Sequence, residues 1–343
     1  MSSRAAFYDA LNFLSRLTPR RLWNAICILA SYWVSKYFRI HWIKGLPLSI
    51  SFEPTTTCNL KCPQCPSGLR QFSRPTGFAS SQTLDKILSE LHSTLLYLIF
   101  YFQGEPYLHK DLFDWIKKAS DMGIYTATST NGHYLNDTNC QKTILSGLDR
   151  LVISLDGIEQ QSYEHYRVGG SLQKVLEGIR NLVKNKKLLK SRKPYIILQF
   201  IVFKHNEHEI EALQKLASEL EVDHLAIKTA QIYDYQNAHD LIPTQERYAR
   251  YKKNKNGDFV FKNSLENSCW KMWHSCVFTQ NGAVVPCCFD KDATHELGNV
   301  NQSQNFKAIW QGESYKNFRR KLLNSRKSID ICTNCTEGTK VWA

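Results

Sequence analysis

Cys58, Cys62 and Cys65 place three thiols within eight residues, in the run Cys58-Asn59-Leu60-Lys61-Cys62-Pro63-Gln64-Cys65. Three thiolates can hold three irons of a [4Fe–4S] cube and leave the fourth iron without a protein ligand. That iron can then take a small molecule, as the open position of a catalytic zinc site does. The competing occupant is zinc, which in a structural role takes four ligands. No fourth Cys or His lies close by in the sequence, so His92 or His109 would have to fold back.

A second set comprises Cys269, Cys287, Cys332 and Cys335, with spacers of 17, 44 and 2 residues. Those spacers exceed one helix or turn, so the fold must gather the ligands. Four protein thiolates leave no open iron, which suits passing an electron better than binding a substrate. Zinc also takes four thiolates. Cys276 and Cys288 are surplus; either could replace a neighbour, with Cys276 the stronger rival to Cys269, or both could be buried as small apolar side chains. The chain holds eleven cysteines, an odd number, and Arg4, Arg16, Arg20 and Arg21 interrupt any apolar leader in its first 21 residues. A disulfide framework is therefore not expected, and a reducing cytoplasm is.

These residues need elements to position them. β-rich runs occur at 48–53, 97–102, 124–129, 151–155, 195–203 and 224–228, separated by helical stretches near 83–94, 110–121, 137–147, 171–187 and 206–220. Strands alternating with helices predict an α/β fold with a parallel sheet and right-handed crossovers. Six strands fall short of the eight of a closed barrel, so a six-stranded (β/α)6 partial TIM-like barrel is expected, with ligands at the carboxyl ends of its strands. The turn Gln280-Asn281-Gly282 between two apolar runs predicts a hairpin that delivers Cys287, and helices are expected at 304–311 and 314–324. The expected organisation is an N-terminal helical segment at 1–45, the barrel at 46–230, a polar linker at 231–268 and a small iron–sulfur domain at 269–343.

The C-x3-C-x2-C motif directly after the first strand resembles that of the radical S-adenosylmethionine superfamily, over roughly residues 46–229. The resemblance implies a [4Fe–4S] cluster on Cys58, Cys62 and Cys65, with the open iron binding the amino and carboxylate groups of S-adenosylmethionine. Reduction then yields methionine and a 5′-deoxyadenosyl radical, which takes hydrogen from a substrate. Gln103-Gly104-Glu105-Pro106 resembles the family's Gly-Gly-Glu-Pro segment, with Gln103 in place of the first glycine. Gly104 lets the backbone approach a ligand closely, and a Glu105 carboxylate or neighbouring carbonyl can accept from the methionine ammonium. Asn131 belongs to a Thr-Asn-Gly turn of the family type. Ser154 and Asp156, two apart, would share one side of a strand and suit ribose hydroxyls; a turn role is the alternative for Asp156. Arg167 could meet the cofactor carboxylate or make a surface ion pair, and Asn206 could face the cofactor or cap the following helix, of which capping is expected. The family often carries an aromatic residue just before the third cysteine; Gln64 stands there.

Residues 269–335 resemble the SPASM auxiliary-cluster domain in its shortened "twitch" form, through Trp270, Trp273, the run from Gly282 to Cys288, Gly298-Asn299 and Ile309-Trp310. The resemblance implies a second [4Fe–4S] cluster on Cys269, Cys287, Cys332 and Cys335, and hence a net oxidation or radical modification. The substrate is left open among a peptide, a sugar alcohol and a lipid, with an acidic low-potential donor such as a flavodoxin or ferredoxin as reductant. Trp342 could line the site or pack at a domain seam. The alternative is a non-catalytic iron–sulfur or zinc protein acting as electron carrier or binding module, which would have no use for cofactor-suited turns.

Net charge is +13, with 43% hydrophobic and 22% charged residues, enough for a sizeable core. The basic run Lys184–Lys193 lacks interleaved aromatics, so no nucleic acid is expected. Residues 1–44 carry seven Arg or Lys against one acid, Asp9, and fourteen uncharged residues separate Arg21 from Lys36. That stretch is too short to span a bilayer. It either packs on the main domain or makes a peripheral membrane contact.

Overall fold

The computed structural model describes residues 3–237, 240–262 and 265–337. Trp342 lies outside them. Strands β1 (Ser49–Phe52), β2 (Tyr97–Ile99), β3 (Tyr125–Thr130), β4 (Arg150–Ser154), β5 (Tyr195–Val202) and β6 (His224–Thr229) lie side by side in chain order. Every neighbouring pair is parallel. Helices lie between them, and short polar side chains start several. Ser80, Asn136 and Ser171 accept from the Thr83, Asn139 and Lys174 N–H groups, which otherwise have no partner within the helix. A helix at Gln160–Tyr166, not expected from the sequence, precedes Leu172–Leu188 and carries Arg167 at its end.

The sheet is larger than six strands and is shared by both halves of the chain. Among the described residues it has nine, in the order β11 (Gly298–Asn299), β10 (Ala283–Val285), β9 (Ser275–Phe278), β1, β2, β3, β4, β5, β6. A separate hairpin comprises β7 (Tyr251–Lys253) and β8 (Phe259–Phe261); β9, β10 and β11 extend the main sheet. β9 runs parallel to β1 in the register Ser49↔Ser275 to Phe52↔Phe278. The hairpin around Gly282 is formed, with Val284 opposite Phe278. All four residues of β9 are buried, which suits a strand covered on both faces and paired along both edges. The C-terminal segment is therefore joined to the parallel sheet through backbone pairing.

Residues 231–268, expected as a linker, include described residues that pack against the cysteine loop. Ile232, Ile242, Ala249, Tyr251 and Phe259 pack with Leu60, Cys62, Tyr166 and Phe203. Tyr251 Oη donates to Asn334 Oδ1 at 2.8 Å, and Asn334 Nδ2 donates to the Ile232 carbonyl at 2.7 Å. The strands of this hairpin are too short to show a hydrophobic period.

Helices α1 (Ser3–Leu14) and α2 (Pro19–Phe38) pack on the main domain. Arg21 is buried and donates to the carbonyls of Arg16, His92, Met122 and Gly123. Asn12 and Arg16 reach Asp149, just before β4. Lys193 pairs with the same carboxylate and Lys186 with Asp223, so the basic run 184–193 is partly neutralised where it meets the amino ends of the strands.

Candidate active site

The cysteine loop leaves β1 at Glu53, whose carboxylate is fully buried. Arg74 forks onto it with two contacts of 2.7 Å, and the Gln280 N–H donates at 3.0 Å. Burial raises the Glu53 pKa, and the Arg74 fork opposes that rise. One buried ion pair thus ties the strand end, the return of the cysteine loop and the β9–β10 turn together.

Cys58, Cys62 and Cys65 line one cavity of about 380 Å³ at the carboxyl ends of the strands. Gln103, Gly104, Glu105, Asn131, Ser154 and Arg167 line it too. Asn131 Nδ2 lies 3.8 Å from Cys58 Sγ, and Arg167 Nη1 lies 3.9 Å from Cys62 Sγ. The Leu60 N–H donates to Cys58 Sγ at 3.5 Å, and Cys65 Sγ lies 3.9 Å from Gln103 Oε1.

Glu105 is buried and accepts from Thr130 Oγ1 at 2.8 Å, the Asn131 N–H at 2.7 Å and the Tyr107 N–H at 3.1 Å. Burial pushes its carboxyl up to about 7 against the pull of those donors. Gly104 has φ +72, and a Cβ there would stand 2.2 Å from the Thr55 carbonyl oxygen, so only glycine fits.

Asp156 does not line the cavity. Its buried carboxylate accepts from Arg167 Nε at 2.6 Å and from the Ile201 N–H at 2.8 Å. It therefore aims Arg167 at the thiols instead of facing a ribose. Asn206 stands at the N-cap position of the short 3-10 helix Glu207–Glu209, but its side chain makes no capping bond: its Oδ1 accepts from the Phe203 N–H at 2.7 Å, and its Nδ2 donates to the Asp156 carbonyl at 2.9 Å. Gln64 accepts from the Tyr233 N–H at 3.2 Å and lines the cavity. Lys291, which no motif marks, lines the same cavity and lies 4.7 Å from the Tyr233 ring centroid. A wider cavity of about 530 Å³ opens at the opposite end of the strands, around Tyr8, Asp149 and Tyr195, away from every thiol named here.

Cys269, Cys287, Cys332 and Cys335 line a second, small cavity together. Cys276 and Cys288 do not. Cys276 is buried in β9 within the hydrophobic core, and Cys288 Sγ lies 3.4 Å from Lys271 Nζ. Arg326 Nη2 lies 3.4 Å from Cys335 Sγ, which also accepts from the Glu337 N–H at 3.3 Å.

Among the described residues no three His, Cys, Asp or Glu side chains converge on a single metal ion. Three thiols around one cavity and four around another match the ligand numbers of an open and a fully held iron–sulfur cube. Burial pushes Cys58 up to about 11 and Cys335 up to about 12. Bound iron reverses that preference by holding the thiolate form.

The family model for the radical SAM superfamily matches residues 52–217, and that for the SPASM iron–sulfur cluster-binding domain matches residues 269–336. The chain belongs to the radical SAM superfamily. This radical SAM chain is 24% identical over 299 residues to the PqqA peptide cyclase of Bradyrhizobium diazoefficiens, covering 80% of this chain and 76% of that protein. Two solved structures share its fold. BtrN in complex with AdoMet and 2-DOIA superposes with a TM-score of 0.52 at 19% identity, over 86% of this chain and 95% of that one. Streptococcus suis SuiB bound to precursor peptide SuiA superposes with a TM-score of 0.62 at 14% identity, over 93% and 76%. The radical SAM enzyme thus has a [4Fe–4S] cluster and S-adenosylmethionine as its cofactors, with further iron–sulfur ligation in the SPASM segment.

Proposed function

We propose that this radical SAM enzyme abstracts a hydrogen atom from a peptide substrate and completes a net oxidation or radical modification with the help of one auxiliary [4Fe–4S] cluster. The observation that carries the reading is the meeting of Cys58, Cys62 and Cys65 with Gln103, Gly104, Glu105, Asn131, Ser154 and Arg167 around one cavity. When bound, the first cluster and S-adenosylmethionine supply a 5′-deoxyadenosyl radical, and the auxiliary cluster on Cys269, Cys287, Cys332 and Cys335 supplies an electron acceptor.

The protein's own residues hold and orient. Arg167, aimed by Asp156, offers a cation to the methionine carboxylate. Glu105 holds the Asn131 backbone, so the turns after β2 and β3 are tied to each other. Ser154 offers a hydroxyl to the ribose. Lys291 is the basic group that takes the proton released when the substrate radical gives up an electron; burial holds its pKa below the usual lysine value. The peptide class is supported by the names of the PqqA peptide cyclase and of SuiB with its precursor peptide.

The test is anaerobic. Reconstituted, reduced enzyme is incubated with S-adenosylmethionine, and 5′-deoxyadenosine is measured with and without candidate peptides. Formation that rises with a peptide, together with a mass change in it, is expected. Absence of 5′-deoxyadenosine at about eight irons per chain overturns the reading.

A further inference from the structure

Helix α2 is inverted relative to an ordinary surface helix. The row facing the protein is Arg21, Asn24, Ile28, Ser31 and Ser35, all buried and four of them polar. Each polar member has a partner in the fold. Asn24 bonds both the N–H and the carbonyl of Leu46, Ser31 those of Lys44, and Ser35 those of Trp42. The chain leaving α2 is thereby pinned back along it by side-chain hydrogen bonds. At its far end Arg39 donates to the carbonyls of Asn267 and Leu323, so α2 is fastened to the auxiliary segment as well as to the barrel.

The opposite row faces out and is apolar. Leu22, Ile26, Leu29, Trp33 and Tyr37 recur every three or four residues, with exposures of 50, 49, 48, 42 and 74%. Trp23 and Phe38 extend the face at 67 and 72%. In α1, Phe7, Leu11 and Leu14 form a second exposed row of helical period, at 60, 45 and 54%. A soluble surface helix points such a stripe at the core, and a contiguous exposed stripe of this length marks a contact with something else.

The charges around it choose the partner. Arg20 precedes the apolar row, Lys36 lies in its last turn, and Arg39 and Lys44 follow it. Lys36 lies 5.6 Å from the Trp33 ring centroid and Lys44 5.5 Å from that of Trp42. Beside α1, Arg4 and Arg192 both lie over the Tyr8 ring. Asp9, the lone acid of residues 1–44, is engaged by Arg150 and Tyr125, and Glu266 lies 3.4 Å from Lys36 at the end of α2, which leaves the region net basic. A second copy of this chain would bring like-charged rims together, whereas anionic phospholipid neutralises them. Trp and Tyr on the apolar face favour the depth of the headgroups. Among the described residues no helix is long and apolar enough to cross a membrane.

We propose that the outward faces of α1 and α2 form a membrane-docking surface, which lies in the plane of an anionic phospholipid interface with its apolar row among the acyl chains. This does not depend on the substrate reading above.

The experiment is flotation of the reconstituted full chain with phosphatidylcholine vesicles, with or without about 30 mol% phosphatidylglycerol. Co-flotation with the anionic vesicles is expected, weakening in high salt and with neutral vesicles. Trp23→Ser/Trp33→Ser should partition about tenfold less, while 5′-deoxyadenosine formation stays unchanged. Ile26→Asp serves as a second variant, and thermal unfolding checks that both are folded. Wild-type protein that stays in the aqueous phase with both vesicle types overturns the proposal, as does its recovery there as a dimer by light scattering. Folded variants that float as well as wild type overturn it too.

Discussion

The buried Asp156 carboxylate grips Arg167 Nε at 2.6 Å, and the same guanidinium reaches Cys62 Sγ through Nη1 at 3.9 Å. Asp156 is thus a positioning residue. Asp156→Asn leaves Arg167 charged but loosens its aim, so S-adenosylmethionine cleavage should fall about tenfold or more. Iron content should remain at the wild-type level, and binding of S-adenosylmethionine should weaken. Measuring all three separates a positioning role from loss of the cluster.

The two cysteine sets separate by iron counting. Cys62→Ala should abolish 5′-deoxyadenosine formation. Cys335→Ala should lower iron from about eight to about four per chain while S-adenosylmethionine still binds. Cys276→Ser should keep all the iron, because Cys276 lies in β9 among core side chains. Loss of iron in that last variant would mean that the auxiliary ligands are misassigned.

Gly104→Ala should be severe. Its methyl group would meet the Thr55 carbonyl oxygen at 2.2 Å in a left-handed backbone conformation. A cost of about 2 to 4 kcal/mol is expected from steric strain, read as a lowered Tm and a lost cofactor site. Gly169, which also has positive φ but open space around it, should tolerate alanine far better and serves as the control.

Glu105 predicts a pH trend. Its carboxyl lies at about 7 in the folded chain against 4.5 for the ordinary group. The folded state then holds the proton more tightly than the unfolded state. This carboxyl's contribution to stability is therefore greatest below about 4.5, falls as pH rises towards about 7, and levels off above that. Glu105→Gln should flatten that part of the stability profile. Thermal unfolding of both proteins from pH 5 to 8, under matched conditions, compares the slopes and cancels acid lability of the clusters.

Lys291→Met should uncouple the reaction. 5′-Deoxyadenosine formation should persist near the wild-type rate, while oxidised product falls about tenfold or more for want of a proton acceptor. Equal loss of both would place Lys291 in cofactor binding instead.

The thiol motif was legible because three ligands within eight residues need no tertiary information, and each of the first six strands could be read from its own local pattern. What failed to read locally was set by distant pairing. β9 meets β1 although Ser49 and Ser275 lie more than two hundred residues apart, so nothing near either segment signals their union. Asp156 was expected beside Ser154 on one face of a strand, but β4 ends at Ser154. Beyond that point side chains no longer alternate, and the carboxylate turns towards Arg167 and β5. Lys291 has no motif at all; only the closing of the auxiliary segment over the cavity brings it in.

The β9–β1 pairing has a consequence for dissection. A chain cut before Cys269 would leave β1 with a bare row of N–H and C=O groups, the kind of open edge that recruits other chains into aggregates. It would also remove Gln280 from Glu53, at the point where the cysteine loop departs. The half that carries the first cluster should therefore not be obtainable as a well-behaved fragment, and loss of the auxiliary segment should act first as a folding lesion and only then as a chemical one.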